Sequence, residues 1–314
     1  MGSRKGIILA GGTGRRLLPN TIAVSKQLLP VFDKPMIYYP LSVLLLAGIR
    51  DIALITTPRD QPQFRRLLGD GSQWGIRLAY IVQPAPEGVA QGYILAERFL
   101  AGAASALILG DNIFHGAGMQ NLLAQADEHK HGATVFACHV PDPQRYGVVQ
   151  NDAWGQVTGI IEKPTEPPSD LAVTGLYFLD ETAPARARNL RPSARGELEI
   201  STLLNSYLPQ QHLRVETLDA SCAWFDAGTP ASLLEAANFV RRQQKILGAP
   251  VGNPDDIIAG LNRITAGAAT NRAAPVSDGA SAGEVWSPDP RVARQVPAPW
   301  KSVSQVYRDA LKIV

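Results

Sequence analysis

Short, mostly uninterrupted apolar runs alternate through the first half of the chain with stretches whose apolar positions recur every three or four residues. Residues 5–9, 52–56, 78–82, 106–109 and 133–138 are of the first kind and predict strands; 41–47, 60–68, 89–100 and 119–130 are of the second and predict helices. Pro40 stands where a first-turn proline fits and Gly48 where a helix stops. Asp60 is placed to cap a helix whose Phe64, Leu67 and Leu68 share one face. Strands that are apolar throughout, separated by single helices, predict an α/β three-layer sandwich around a mostly parallel, Rossmann-like sheet covered on both faces. Ligands of such sheets sit beyond the carboxyl ends of the strands, so residues 11–16, 83–91 and 110–114 are the places to look for chemistry.

The second half is less regular. Residues 148–150 and 156–161, split by D-A-W-G, predict a hairpin; 172–179 a strand; 200–208 a helix; and 230–246 a long amphipathic helix. Residues 265–300 are rich in Ala, Pro, Gly and Ser without a sustained period, which predicts an extended or poorly ordered tail closed by a short helix over 303–311.

Composition narrows the function classes. Of 314 residues, 45% are hydrophobic and 18% charged, enough to build a core and too apolar for a disordered chain. Thirty Lys and Arg against 28 Asp and Glu leave a net charge of +2, with no basic stripe to collect a nucleic-acid backbone. The most apolar stretch, residues 41–49, is far short of a membrane span. No charged segment followed by an apolar one opens the chain, and Cys138 and Cys222 lack C-x-x-C spacing, so the expectation is a cytoplasmic protein. His115, His129, His131, His139 and His212 form no i, i+4 pair and predict no histidine metal site.

The first chemical signal is L-A-G-G-T-G-R-R-L-L-P at 9–19. Gly11, Gly12 and Gly14 let backbone N–H groups approach phosphate oxygens, with Thr13 between them. A P-loop would need Lys and Ser or Thr where Arg15 and Arg16 stand, and a dinucleotide fingerprint would need glycine at Leu17. With S-K-Q-L-L-P at 25–30, the loop offers Arg16 and Lys26 to one phosphate site; alone, it reads equally well as a tight turn with solvated cations. Asp111 in G-D-N and Asp226 in W-F-D-A-G are, on spacing alone, ordinary loop aspartates. G-D-G-S-Q-W-G at 69–75 lacks the G-x-S-x-G elbow of a hydrolase.

Taken together, G-G-x-G-x-R-L-x-P and S-K-Q-L-L-P-V-F-D-K-P-M-I-Y-Y-P resemble the sugar-1-phosphate nucleotidyltransferases, in particular those that join dTTP to glucose 1-phosphate. The resemblance continues through Q-P-A-P-E-G-V-A-Q (83–91), L-G-D-N-I-F (109–114), R-Y-G-V-V (145–149), E-K-P (162–164), V-T-G-L-Y-F (173–178), R-G-E-L-E-I (195–200) and A-W-F-D-A-G-T (223–229), in unbroken order over about residues 5–248. It implies a nucleotidyltransferase domain over 1–248, with a nucleotide-binding part to about 115 and a sugar-binding part after it, followed by a divergent tail over 249–314.

The activity implied is Mg²⁺-dependent single displacement, giving dTDP-glucose and pyrophosphate at the opening of dTDP-rhamnose or other deoxysugar synthesis, by a homo-oligomer, usually a tetramer. Mg²⁺ would be bound by Asp111 and Asp226. Arg16 and Lys26 would hold the triphosphate, and Lys163 and Arg195 the sugar phosphate. Gly11, Gly12, Thr13 and Gly14 would cradle the nucleotide, Gln83 and Gly88 would read thymine, and Gln27 would lie near the deoxyribose. Asn112, Gly147, Glu162 and the backbone at Val173 would bind glucose, while Tyr146 and Tyr177 are as readily packing residues as sugar contacts. Arg15 departs from the family, which usually carries threonine there. The same chemistry with UTP or another sugar 1-phosphate, and a non-catalytic paralogue that binds nucleotide sugars, are the alternatives.

Overall fold

A computed structural model of the chain describes residues 3–272, with side chains to residue 263. In chain order its first half contains β1 (Lys5–Ala10), a small hairpin of β2 (Pro30–Val31) and β3 (Lys34–Pro35), α1 (Tyr38–Leu46), β4 (Asp51–Thr56), α2 (Gln61–Leu68), β5 (Arg77–Val82), α3 (Gln91–Leu100), β6 (Ser105–Leu109), β7 (Asn112–Gly116) and α4 (Met119–Glu128). The second half contains β8 (Ala133–His139), β9 (Gly147–Asn151), β10 (Val157–Glu162), β11 (Leu171–Leu179), α5 (Ala183–Arg188), α6 (Ile200–Asn205), β12 (Leu213–Thr217), β13 (Cys222–Asp226), α7 (Pro230–Leu247) and α8 (Pro254–Arg272).

Nine of these strands form one sheet, in the order β10-β9-β11-β6-β1-β4-β5, with β8 joining β11 and β12 joining β8. It is parallel from β6 through β1 and β4 to β5, as uniformly apolar strands predict. β11 then runs antiparallel to β6, β8 and β9, which makes the sheet mixed. One face is covered by a core including Leu41, Leu44, Phe64 and Leu123, from α1, α2 and α4. The other is covered by Tyr93, Ala96, Ala183, Leu203 and Leu204, from α3, α5 and α6. A helix layer on each side of a sheet is the three-layer sandwich expected from the sequence.

Local differences from the pattern have physical reasons. α1 starts at Tyr38, so Pro40 is its third residue, where the missing N–H is still one that has no partner within the helix. Asp60 occupies the N-cap of α2, but its carboxylate accepts from Thr57 Oγ1 (2.8 Å) and Arg59 Nε (2.8 Å) instead of capping. β7 and β13, absent from the sequence reading, pair antiparallel with Asp226 opposite Asn112. Their partners lie more than a hundred residues apart, so neither strand has a local signal.

The expected tail is helical at least to Arg272, in α8; residues 273–300 and the helix expected over 303–311 lie outside the described residues. Residues 1–258 form one compact unit and a second begins at Ala259. Residues 249–258 pack within the first: Val251 is buried, Lys34 Nζ donates to its carbonyl (3.0 Å), and Trp74 Nε1 donates to Asp255 (2.9 Å). Among the described residues no helix is long and apolar enough to cross a membrane.

Candidate active site

The glycine loop leaves β1 at its carboxyl end and turns at Gly14, whose φ of 63° favours a residue without a side chain. Thr21 Oγ1 donates to the Gly14 carbonyl (2.8 Å) and fixes the turn. Gly12, Thr13, Gly14, Arg15, Arg16, Lys26 and Gly228 line a cavity of about 220 Å³. Its wall combines three cationic side chains with a glycine-rich backbone and no carboxylate, the composition of an anion site. Arg15, noted in sequence only as a departure, is part of that wall.

A larger cavity of about 390 Å³, within the range of small-molecule sites, lies beside it. Asp111, Asn112, Tyr146, Gly147, Glu162, Lys163, Val173, Tyr177 and Asp226 all line it, so residues scattered over more than a hundred positions meet at one cavity. The space comes from an irregularity in β11. Val173 lies opposite Ala137 and Tyr177 opposite Val135, so β11 carries two more residues than β8 over this stretch and bows away from it. Arg16 lines both cavities and stands where they meet.

Asp111 lies two residues past the end of β6 and Asp226 ends β13; the Ala227 N–H donates to the Asp111 carbonyl (3.0 Å), which ties the two segments together. Lys26 Nζ donates to Asp111 Oδ2, and Arg16 Nη2 and Arg145 Nη2 lie 3.7 and 4.0 Å from Asp226 Oδ2. Burial pushes the Asp111 carboxyl upward, but the adjacent Lys26 ammonium and the Asn112 amide outweigh it and hold it below its ordinary value. Burial, then the Asp111 charge, raises the Asp226 carboxyl despite the three nearby cations. A divalent cation shared by the pair would relieve the repulsion that raises Asp226. Among the described residues no group of three or more His, Cys, Asp or Glu is arranged to hold a metal ion. Two carboxylates suit a hard cation that keeps water or phosphate oxygens as further ligands.

The other implied site residues divide into wall and support. Asn112 lines the larger cavity, but its Oδ1 is already engaged by the Gly175 N–H (3.0 Å) and Trp224 Nε1 (2.6 Å), while Nδ2 donates to Asp111 (3.2 Å). Arg195 lies outside both cavity walls. Its guanidinium is held by Glu199 (2.7 Å), Glu162 (3.2 Å) and Glu197 (3.4 Å). Arg145 and Trp224, not singled out in sequence, are in the wall, with Trp224 packed edge-on against Tyr146 at 5.3 Å. Gln27 and Gln83 are buried and line neither of these cavities. Gln27 accepts from Ser25 Oγ (2.7 Å), and Gln83 lies against the glycine loop, with its Oε1 1.7 Å from where a Cβ on Gly11 would be. Gly88 has φ 107° and packs against the Leu198 backbone, whose N–H donates to the Glu87 carbonyl (2.7 Å).

Comparison with known proteins gives the family of the chain that carries this site. The nucleotidyl transferase family model matches residues 5–243. The chain belongs to the nucleotidyl transferase family. Relatives in this family include a glucose-1-phosphate thymidylyltransferase of Xanthomonas campestris pv. campestris, 54% identical over 276 residues, covering 88% of this chain and 94% of the relative. Another, from Neisseria gonorrhoeae and bearing the same name, is 58% identical over 242 residues, covering 77% of this chain and 84% of its own. A Bacillus anthracis structure assigned to the same enzyme, in complex with sucrose, superposes with a TM-score of 0.71 at 40% identity, covering 76% of this chain and 96% of that one. A UDP-glucose pyrophosphorylase bound to UDP-glucose, 21% identical with a TM-score of 0.68, shares the fold.

Proposed function

We propose that this nucleotidyl transferase joins dTTP and α-D-glucose 1-phosphate to give dTDP-glucose and pyrophosphate. The observation that carries the reading is the pair of adjoining cavities, one cationic and glycine-rich, the other sugar-sized, which share Arg16 and have Asp111 and Asp226 on the wall of the larger. The names of the relatives supply the identity of the nucleotide and sugar.

The glucose 1-phosphate oxygen attacks the α-phosphorus, a new P–O bond forms, and the bond to pyrophosphate breaks. The attacking phosphate is already anionic at neutral pH, so no base is needed; the protein's task is positioning and charge neutralisation. Arg16 and Lys26 hold the triphosphate, and the glycine loop cradles it through backbone N–H groups. Lys163, at the cavity wall next to Glu162, takes the phosphate of the sugar. Gly147, Glu162 and the backbone at Val173 shape the glucose end. Asn112, with its oxygen occupied, chiefly holds Asp111 and β13 in place. Arg195 orients Glu162 and Glu199, and Arg145 gives the cavity a cation beside Asp226. Asp111 and Asp226 are the residues to hold a divalent cation, Mg²⁺ in this reading, which when bound lowers the charge repulsion between the reacting phosphates. The enzyme works as a homo-oligomer, a tetramer.

The experiment is pyrophosphate release from glucose 1-phosphate with dTTP, UTP, CTP, ATP and GTP, each with and without Mg²⁺. Mg²⁺-dependent release led by dTTP is expected. Release led by another nucleotide, or none from folded protein, rejects the assignment.

A further inference from the structure

A chain of amide groups runs from the surface into the buried end of the glycine loop. Gln83 Nε2 donates to Gln91 Oε1 at 2.6 Å, the same oxygen accepts from the Glu87 N–H at 3.1 Å, and Gln91 Nε2 donates to Glu87 Oε2 at 2.8 Å. Gln83 and Gln91 are 3% and 7% exposed, whereas Glu87 is exposed. The direction of every bond is forced. A backbone N–H can only donate and an ionised carboxylate can only accept, so Glu87 allows one orientation of the Gln91 amide. Gln91 therefore offers its oxygen to Gln83, and Gln83 must answer with Nε2. The Gln83 Oε1 is left toward the glycine loop at Gly11, where a methyl group would collide with it at 1.7 Å.

An amide locked in one direction distinguishes ligands that a rotating amide does not. The thymine edge presents an N3–H donor flanked by carbonyl acceptors. Cytosine presents an N3 acceptor beside an amino donor, the reverse pattern. A glutamine with its oxygen fixed toward N3 pairs with thymine or uracil and opposes cytosine, while one free to turn over pairs with either. We propose that Gln91, itself oriented by Glu87, is a specificity-determining positioning residue that fixes the polarity of the Gln83 amide and so excludes cytosine nucleotides. This rests on the proposed use of dTTP and on the base-reading role that the family resemblance implies for Gln83.

The test compares kcat/KM for dTTP and dCTP, with glucose 1-phosphate, in the wild type, Gln83→Leu, Gln91→Met and the double exchange Glu87→Gln with Gln91→Glu. Gln91→Met frees the Gln83 amide and should lower the dTTP:dCTP ratio by about tenfold or more, the scale of one lost bidentate discrimination. The exchange keeps an acceptor facing Gln83 and a donor facing that acceptor, and should hold the ratio within about threefold of wild type by the same arithmetic. A purely structural role for Gln91 would lower both rates together, so an unchanged ratio in folded Gln91→Met overturns the proposal. Where Gln91→Met fails to fold, the exchange decides: a retained ratio supports the lock and a collapsed one refutes it. Gln83→Leu separates the two layers of the argument. If it leaves the ratio unchanged, the base-reading role of Gln83 falls and takes the lock with it. If it collapses the ratio while Gln91→Met does not, only the lock falls.

Discussion

Replacing Gly228 with alanine tests whether the position of Arg16 governs the chemistry. Gly228 lines the smaller cavity just after Asp226, and a Cβ there would stand 2.4 Å from Arg16 Nη2 and 2.8 Å from Asp226 Oδ1. Ordinary contact begins near 3.4 Å, so the guanidinium must retreat by about 1 Å, the scale at which misplacement of a reacting group costs about a hundredfold in rate. The fold should tolerate the change. Gly228 does not have a positive φ, and the contacts are the far ends of two side chains, one of them the long, half-exposed Arg16. Gly228→Ala is therefore expected to lower kcat for pyrophosphate release about a hundredfold while its melting temperature stays within a few degrees of wild type. Near-wild-type kcat would refute the claim that Arg16 acts on the reacting phosphates from its present position. A large loss of melting temperature would refute the claim that the methyl group is absorbed by side chains alone.

Other substitutions probe the same site. The Asp226 carboxyl titrates above its ordinary value, so the folded state holds its proton more tightly than the unfolded state and loses stability as pH rises past the carboxylate range. In metal-free buffer Asp226→Asn should therefore raise the melting temperature near neutral pH, with the gain vanishing toward about pH 4, and should cut turnover on the order of a hundredfold. Lys26→Met leaves Asp111 buried without its cation and should cost about 3–5 kcal/mol in a urea titration; Asp111→Asn added to it should recover part of the stability and none of the activity. Gly88→Ala combines a φ of 107° with a clash against the Leu198 backbone, which cannot move aside as a side chain can. It should destabilise by about 1–3 kcal/mol and raise KM for the nucleotide more than for the sugar.

The parts of the site that were legible in sequence are those held by local rules. The glycine loop follows a strand whose apolar run is unmistakable, and Asp111 sits two residues beyond another, so the carboxyl-end rule for parallel sheets points at both. Asp226 was placed only through a family resemblance. Its strand pairs with β7 across more than a hundred residues, and no periodicity within W-F-D-A-G records that pairing. Arg145 lies within R-Y-G-V-V, but its place in the cavity wall and its approach to Asp226 depend on the fold and leave no mark on that motif. Arg195 shows the reverse. The family resemblance implies a phosphate ligand, and the geometry places it among Glu162, Glu197 and Glu199, three charges whose convergence on it the motif alone does not show. The bow in β11 was likewise hidden, since V-T-G-L-Y-F reads as an ordinary buried strand and the two additional residues appear only against the register of β8.

Phosphorus NMR of the protein with dTTP, glucose 1-phosphate and Mg²⁺ addresses the chemistry without an intermediary assay. The glucose 1-phosphate signal should disappear as the two resonances of dTDP-glucose and that of pyrophosphate grow in equal molar amounts. An unchanged spectrum from folded protein, or release of dTMP in place of a sugar nucleotide, would contradict the transfer assigned to this site.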